Sequence, residues 1–271
     1  MIIEFIGLPC SGKTYNYLKI KNNLKNKIFN YIDIYYLYTK KIINLNLFQS
    51  ILFKISYSYY KKNLRNYNFY NNKIKKKNKL NLIVYLKKII KKIIVINEES
   101  IKKKILKLIS LREREILKIL YYCVNNSPLN LNEKKILKDR VEKEFIGLIL
   151  IKKMKLNKLI ILNDEGFIQR ILSAYKKEKN LNINKKKLFK FFEKFQKLFN
   201  INFVIVVKTN INKIFSRAKQ RNRGFNYNNF SYQEIQNWDK LFNNLFFKNK
   251  IVVLKNNNTK KIVNLIKSAA K

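Results

Sequence analysis

The chain has 271 residues, room for one large α/β domain or for a core domain carrying an insertion. Sixty Lys and Arg stand against 16 Asp and Glu, a formal charge of +44, and there is no histidine. Every mechanism that needs imidazole as base, relay or metal ligand is therefore excluded. Two cysteines, Cys10 and Cys123, supply neither a thiolate zinc site nor a disulfide framework. At 47% hydrophobic and 14% aromatic residues a packed core is expected. The opening MIIEFIG lacks the basic n-region of a signal peptide, and the longest clean apolar run, 145–151, is far short of the ~20 residues of a membrane span. A cytoplasmic protein without a membrane partner is the expectation.

The charge invites a nucleic-acid reading, since phosphates attract lysine without regard to sequence. Only eight of the basic residues are arginine, however, and Gly, Pro and Ala are equally scarce, while Lys, Asn, Ile, Phe and Tyr fill the chain. The depleted residues use GC-rich codons and the enriched ones AT-rich codons. Lysine excess on solvated faces is then largely mutational drift, and non-specific polyanion binding without a specific nucleic-acid partner is expected. Against such a background, the few glycines and arginines that remain carry information.

In chain order, Ile2–Ile6 forms a short apolar strand followed by a loop and a helix over 14–25. A second strand is expected over 27–33. The stretch 35–155 shows no convincing strand pattern; 45–60, 80–96, 101–124 and 131–155 read as helices, 67–79 as an Asn/Lys-rich loop, and Ser127-Pro128 as a break. Further strands are expected over 156–162, Phe203–Val207 and Ile251–Leu254. Short apolar strands flanked by helices imply a parallel sheet covered on both faces.

Between the first strand and the first helix lies Gly7-Leu8-Pro9-Cys10-Ser11-Gly12-Lys13-Thr14, which fits GxxxxGK[ST]. Glycines let backbone N–H groups turn inward around phosphate oxygens, Lys13 can reach the β- and γ-phosphates, and Thr14 can place its hydroxyl on Mg²⁺. The helix points its positive N-terminus at the same anion. Composition gives one accidental match in roughly a thousand such chains.

Asp164 and Glu165 end the third strand, where open α/β sheets place their ligands. Asp164 suits a Mg²⁺ group, and Glu165 could polarise a water or an acceptor hydroxyl; the plainer alternative is Asp164 as N-cap of a helix over 167–177. After 203–207, Thr209 or Asn210 can cap a helix with Ile211, Ile214, Phe215 and Ala218 inward. Arg217 and Arg221 then share one face, with Arg223 beyond them and Gly224 free to end the helix. Their guanidinium forks suit charge building on a transferring phosphoryl group, while a solvated basic face is the simpler alternative.

The phosphate-binding segment, the acidic strand end and the Arg217/Arg221/Arg223 segment together resemble the P-loop nucleoside and nucleotide kinases, especially the thymidylate kinase and deoxynucleoside kinase branch. The tail IVVLKNNNTKKIVNLIKSA resembles that family's last strand, adenine-side loop and closing helix. The resemblance covers roughly the first 33 and the last 115 residues. It implies a P-loop three-layer α/β sandwich with a five-stranded parallel sheet in order 2-3-1-4-5, here interrupted by a helical insertion at about 35–155. It also implies transfer of the γ-phosphoryl group of ATP, with Mg²⁺, to a small acceptor: a nucleoside, nucleotide or sugar. Gly7, Pro9, Cys10, Ser11, Gly12, Lys13 and Thr14 would hold the phosphates; Thr14 and Asp164 the metal. Lys13, Asp164, Glu165, Arg217, Arg221 and Arg223 would serve catalysis.

On the acceptor side the chain departs from the family, with Asp164-Glu165-Gly166 where relatives carry Asp-Arg-Tyr or Glu-Arg-Ser. Asp33, Arg140 (in LKDRVEKEF) and Arg170 are the acceptor-binding candidates. The rival enzyme reading is a P-loop ATPase with Asp164-Glu165 as its Walker B pair, and the non-enzyme rival is a basic nucleotide- or nucleic-acid-binding protein. The segment 110–117, SLREREIL, looks like the opening of a helix-turn-helix reader, but no recognition helix follows. Ser110 with Glu113 is more simply a capping box.

Overall fold

A computed structural model describes residues 1–7, 11–24, 28–65, 81–156, 158–175, 181–199, 201–220, 251–254 and 258–270. Five strands pair in parallel in the order β2-β3-β1-β4-β5: β1 Ile2–Ile6, β2 Ile28–Phe29, β3 Ile160–Asn163, β4 Phe203–Val207 and β5 Ile251–Leu254. The expected sheet order holds. Because every pairing is parallel, all strands present their C-terminal ends at one edge of the sheet.

Side chains alternate between the two faces with the period of two that a pleated strand imposes. Ile3, Phe5, Ile205 and Val207 join a core with α1 (Lys13–Leu24) and the C-terminal α10 (Thr259–Ala270). Ile2, Ile6, Val204 and Val206 face the opposite way. There they pack into a larger core with α2 (Tyr31–Tyr38), α4 (Asn81–Lys107), α5 (Leu111–Asn125), α6 (Leu131–Lys153), α7 (Phe167–Tyr175) and α8 (Leu181–Leu198). α3 (Leu47–Arg65) joins through Phe53, and α9 (Ile211–Gln220) through Ile214. The helices expected as an insertion thus share one continuous core with the sheet.

Several boundaries differ from the sequence expectation for identifiable reasons. The second strand was expected to run to Asp33; instead Asn30 and Asp33 form a capping box, each side chain taking the other's backbone N–H, and helix α2 begins at Tyr31. The break expected near 97–100 is absent. Glu98 and Glu99 continue α4, where Lys143 pairs with the buried Glu98 and Lys102 with the half-exposed Glu99. α5 starts where Ser110 and Glu113 form the expected capping box, and an unexpected third box, Asn130 with Glu133, opens α6. α8, which periodicity did not reveal, is held by an inner row that includes Leu188, Phe191 and Phe195. The 67–79 loop falls outside the described residues. No described helix is long and apolar enough to cross a membrane.

α2 and α6 cross at Gly147, where a Cβ atom would stand 2.3 Å from the Tyr31 carbonyl oxygen. This glycine is there for contact between backbones. Tyr31 in turn ties the helix pair to the sheet, its N–H donating to Asn163 Oδ1 at 3.0 Å and its phenol to Glu4 Oε1 at 2.6 Å.

Candidate functional site

β1 is the central strand, and its C-terminal end leads into the Gly7–Thr14 segment. The Gly7 N–H donates to the buried Gln169 Oε1 at 2.9 Å. A Cβ at Gly7 would stand 2.8 Å from Ser11 Oγ and 3.1 Å from the Val207 carbonyl oxygen, so a side chain there would displace both. Gly12 has φ +88°, the left-handed region that glycine enters without strain. Its carbonyl accepts from the Asn16 N–H and from Asn16 Nδ2, both at 3.0 Å, which starts α1. Thr209, in the loop after β4, donates its hydroxyl to the Ser11 carbonyl at 2.6 Å and ties the segment to the neighbouring strand end. Leu8, Pro9 and Cys10 lie outside the described residues.

Lys13, the first residue of α1, is buried, and its Nζ lies 3.4 Å from Glu165 Oε1 beyond the end of β3. The other Glu165 oxygen stands 3.5 Å from Arg170 Nη1, while Arg170 Nε donates to the buried Glu144 Oε1 at 2.6 Å. Burial opposes ionisation of Glu165, but Lys13, Arg170 and Arg140 override it and hold the carboxyl down at about 2. Glu144 goes the other way: burial raises its carboxyl despite Arg170 and Arg140. The expected Lys13, Glu165, Arg140 and Arg170 are therefore gathered in one electrostatic neighbourhood.

Asp164 is raised by burial, against the pull of Lys13 and a hydrogen bond from Thr14, with Glu165 adding to the rise. Its Oδ1 is buried with no hydrogen-bond partner. Among the described residues six buried side-chain polar atoms lack a partner. Five of them, on Ser11, Asn16, Asn163, Asp164 and Glu144, belong to the Gly7–Thr14 turn, the first turn of α1 bonded to it, the end of β3 or the Arg170 pairing. Orphaned polar atoms so concentrated make this region the candidate ligand site among the described residues. The Thr14 hydroxyl beside the Asp164 carboxylate fits Mg²⁺, which usually takes one or two protein oxygens and completes its shell with water and phosphate. No described group of three or more acidic or cysteine side chains could hold a metal unaided.

Arg217, on α9, reaches back over the turn: a Cβ on Gly12 would lie 3.3 Å from its Nη1. The helix forms where expected, with Ile214 inward and Arg217 exposed; the side chains of Ile211, Phe215 and Ala218 lie outside the described residues. Arg221, Arg223 and Gly224 lie outside the described residues.

Asp33 has local work at the start of α2. It caps the helix, accepts from Tyr57 Oη at 3.2 Å and pairs with Lys61 at 2.7 Å. It faces the same edge of the sheet all the same. The Tyr17 phenol is raised above its ordinary range by burial and then by both Asp164 and Asp33; Tyr60 is raised by burial, Asp33 and Glu144. Asp164 does not cap α7. That position goes to Gly166, whose carbonyl accepts from the Arg170 N–H, while Glu4 accepts the Ile168 N–H at 3.0 Å.

Glu4 and Glu144 are the charged residues that sequence reasoning passed over. Glu4 is fully buried and raised to about 7, chiefly by burial. A Cβ on Gly166 would stand 2.5 Å from its carboxyl carbon, so the glycine after the acidic pair makes room for Glu4. A signal was present: a carboxylate in the middle of the apolar strand IIEFI, in a chain with only 16 acids. Comparison with protein-family models, with curated proteins and with solved structures finds no match to this chain.

Proposed function

We propose that the protein is a P-loop phosphotransferase that moves the γ-phosphoryl group of ATP to a small acceptor such as a nucleoside, nucleotide or sugar. The observation that carries this reading is the meeting, over one glycine turn, of Lys13 from α1, Asp164 just after β3 and Arg217 from α9. Each comes from a different segment, and all converge at the C-terminal edge of a parallel sheet, where such sheets bind ligands.

The turn amides and the Lys13 ammonium bind the phosphates, with the N-terminus of α1 behind them. Thr14 and Asp164 would hold Mg²⁺, which neutralises charge on the bridging phosphate oxygens when bound. Arg217 stabilises charge on the transferring group. Glu165 holds Lys13 until phosphate competes for it. Arg140, Arg170, Glu144 and Asp33 border the side on which the acceptor enters, so the acceptor is positioned by a mixture of carboxylates and guanidinium groups rather than by cations alone.

The kinase reading is preferred to ATP hydrolysis because both Glu165 oxygens already face cations, Lys13 and Arg170. A Walker B glutamate in an ATPase must instead present an oxygen to water. The test is ADP release from Mg·ATP by the purified chain, alone and with a panel of nucleosides, nucleotides and sugars, beside Lys13→Ala and Arg217→Ala. Release that needs one acceptor, vanishes in Lys13→Ala and falls on the order of a hundredfold in Arg217→Ala is the expected result. Steady release without acceptor, still dependent on Lys13, would overturn transfer in favour of hydrolysis.

A further inference from the structure

α7 buries seven of its nine residues, and six of these are apolar or aromatic. Gln169 alone brings an amide inside, at 4% exposure. A buried amide costs free energy unless it is bonded, a demand that an apolar residue would not make. Here both ends are bonded. A backbone N–H can only donate, so the amide oxygen faces the Gly7 N–H at 2.9 Å. The amide nitrogen donates to Ser173 Oγ, one turn further along the helix, at 2.8 Å.

The Gly7 bond falls where the sheet stops supporting β1. Pairing with β3 ends at Glu4 and Asn163, while β1 runs on to Ile6 and Gly7 follows. Beyond that point Gln169 takes the place of a strand partner. The residues beside it complete the grip. Ile168 donates its N–H to Glu4 Oε2 at 3.0 Å, so consecutive residues of α7 hold positions 4 and 7. Arg170 stands 3.5 Å from one Glu165 oxygen, and the other faces Lys13 at 3.4 Å. α7 therefore meets the glycine turn near both its ends.

A second tether comes from the β4 side, where Thr209 donates its hydroxyl to the Ser11 carbonyl at 2.6 Å. Gly7 and Ser11 face each other across the turn, with 2.8 Å between Ser11 Oγ and the place of a Gly7 Cβ. Both are thus fixed by side chains more than 150 residues away in sequence. Ser11 Oγ itself is buried without a hydrogen-bond partner.

We propose that Gln169 and Thr209 are positioning residues for nucleotide phosphate, holding Gly7 and Ser11 in place before phosphate arrives. This role deepens the phosphotransferase reading and rests on it, since the turn must bind phosphate for its shape to matter. A loop ordered beforehand spends none of the binding free energy on becoming ordered, so each tether contributes to affinity without touching the ligand.

Titration calorimetry of the full chain, well below the thermal midpoint of each protein, tests this. The ligands are Mg·ATP and Mg·tripolyphosphate, which has the phosphates but no nucleoside. Gln169→Met keeps the length of the side chain and loses the acceptor; Thr209→Val keeps the shape and loses the hydroxyl. Each should bind both ligands on the order of tenfold more weakly than wild type, with its circular dichroism spectrum kept. The control is Asn202→Ala. Asn202 Oδ1 accepts the Ile2 N–H at 2.8 Å, a bond of the same kind at the opposite end of β1. Its loss should lower the thermal midpoint and leave both affinities within about twofold of wild type.

Wild-type affinity in either tether variant overturns the role given to that residue, whatever its thermal midpoint, and leaves the phosphate site standing. An equal loss in Asn202→Ala overturns both roles, because any weakening of β1 would then have the same effect. A wild type that binds neither ligand removes the phosphate reading and the positioning roles with it.

Discussion

The Lys13 ammonium stands 3.4 Å from the Glu165 carboxylate, joining the first residue of α1 to the loop beyond β3 across the ends of two adjacent strands. On the proposed function, nucleotide phosphate would take Lys13 from Glu165. Glu165→Gln removes that competition, and we expect ATP to bind about two- to fivefold more tightly, the size of a half-exposed ion pair. Lys13→Ala should bind no ATP. Titration calorimetry on the two variants decides it; equal affinities in wild type and Glu165→Gln would mean that the pair does not limit binding.

The glycines divide into those that serve the site and those that serve packing. Gly12→Ala must hold alanine at φ +88°, at about 1–2 kcal/mol, and sets a methyl group 3.3 Å from Arg217 Nη1. We expect a small loss of stability and a large loss of ATP binding. Gly147→Ala drives a methyl group against the Tyr31 carbonyl and should cost about 1–3 kcal/mol or more, with ATP affinity kept by the folded fraction. Thermal denaturation and nucleotide titration on both proteins check the contrast.

Glu4 sets a pH dependence of stability. Its carboxyl titrates near 7 in the folded chain, above its ordinary value of 4.5, because burial disfavours the charged form. As pH rises from about 4.5 the unfolded chain gives up this proton first, so stability falls until the folded chain loses it too, near 7. The total approaches about 3 kcal/mol. In Glu4→Gln the unfolding free energy, followed in urea from pH 4.5 to 8, should lose that decline. An identical slope in the two proteins would assign the pH dependence to other groups.

Between α4 and α6, Lys102 is buried against three carboxylates, Glu99 at 2.7 Å and Asp139 and Glu142 at 2.9 Å. Asp139 and Glu98 also bind Lys143, and Tyr121 donates to Glu142. Lys102→Met leaves the buried Glu142 without its cation, while Asp139 keeps Lys143, and should cost on the order of 3 kcal/mol. Lys197→Ala, which breaks an exposed pair with Glu193, should leave stability essentially unchanged. Urea unfolding of the two variants measures the difference.

Much of the architecture is legible in the sequence because its signals are local. Apolar strands, a glycine turn and the capping box at Ser110 and Glu113 each lie within a few residues. The expected Lys13, Asp164, Glu165 and Arg217 do converge, since a parallel sheet delivers successive strand ends to one edge. What failed did so where a distant partner decides. Asn97 to Ser100 reads as a break until Lys102 and Lys143 are seen to neutralise Glu98 and Glu99. Residues 31–33 read as strand until Asp33 turns back to cap Asn30.

Composition and short-range pattern were enough to exclude histidine chemistry and a thiolate metal site, and to mark the Gly7–Thr14 turn, because those conclusions depend on which side chains exist and how closely they follow one another. The places of Glu4, Glu144 and Gly147 belonged to the tertiary structure alone. Glu4 meets Tyr31 across 27 positions and Ile168 across 164, and Gly147 is required by the backbone of a helix more than a hundred residues earlier. Burial makes an unpaired charge or an overlapping methyl group expensive, and burial is set by which elements pack together, a relation that neighbouring residues along the chain do not carry.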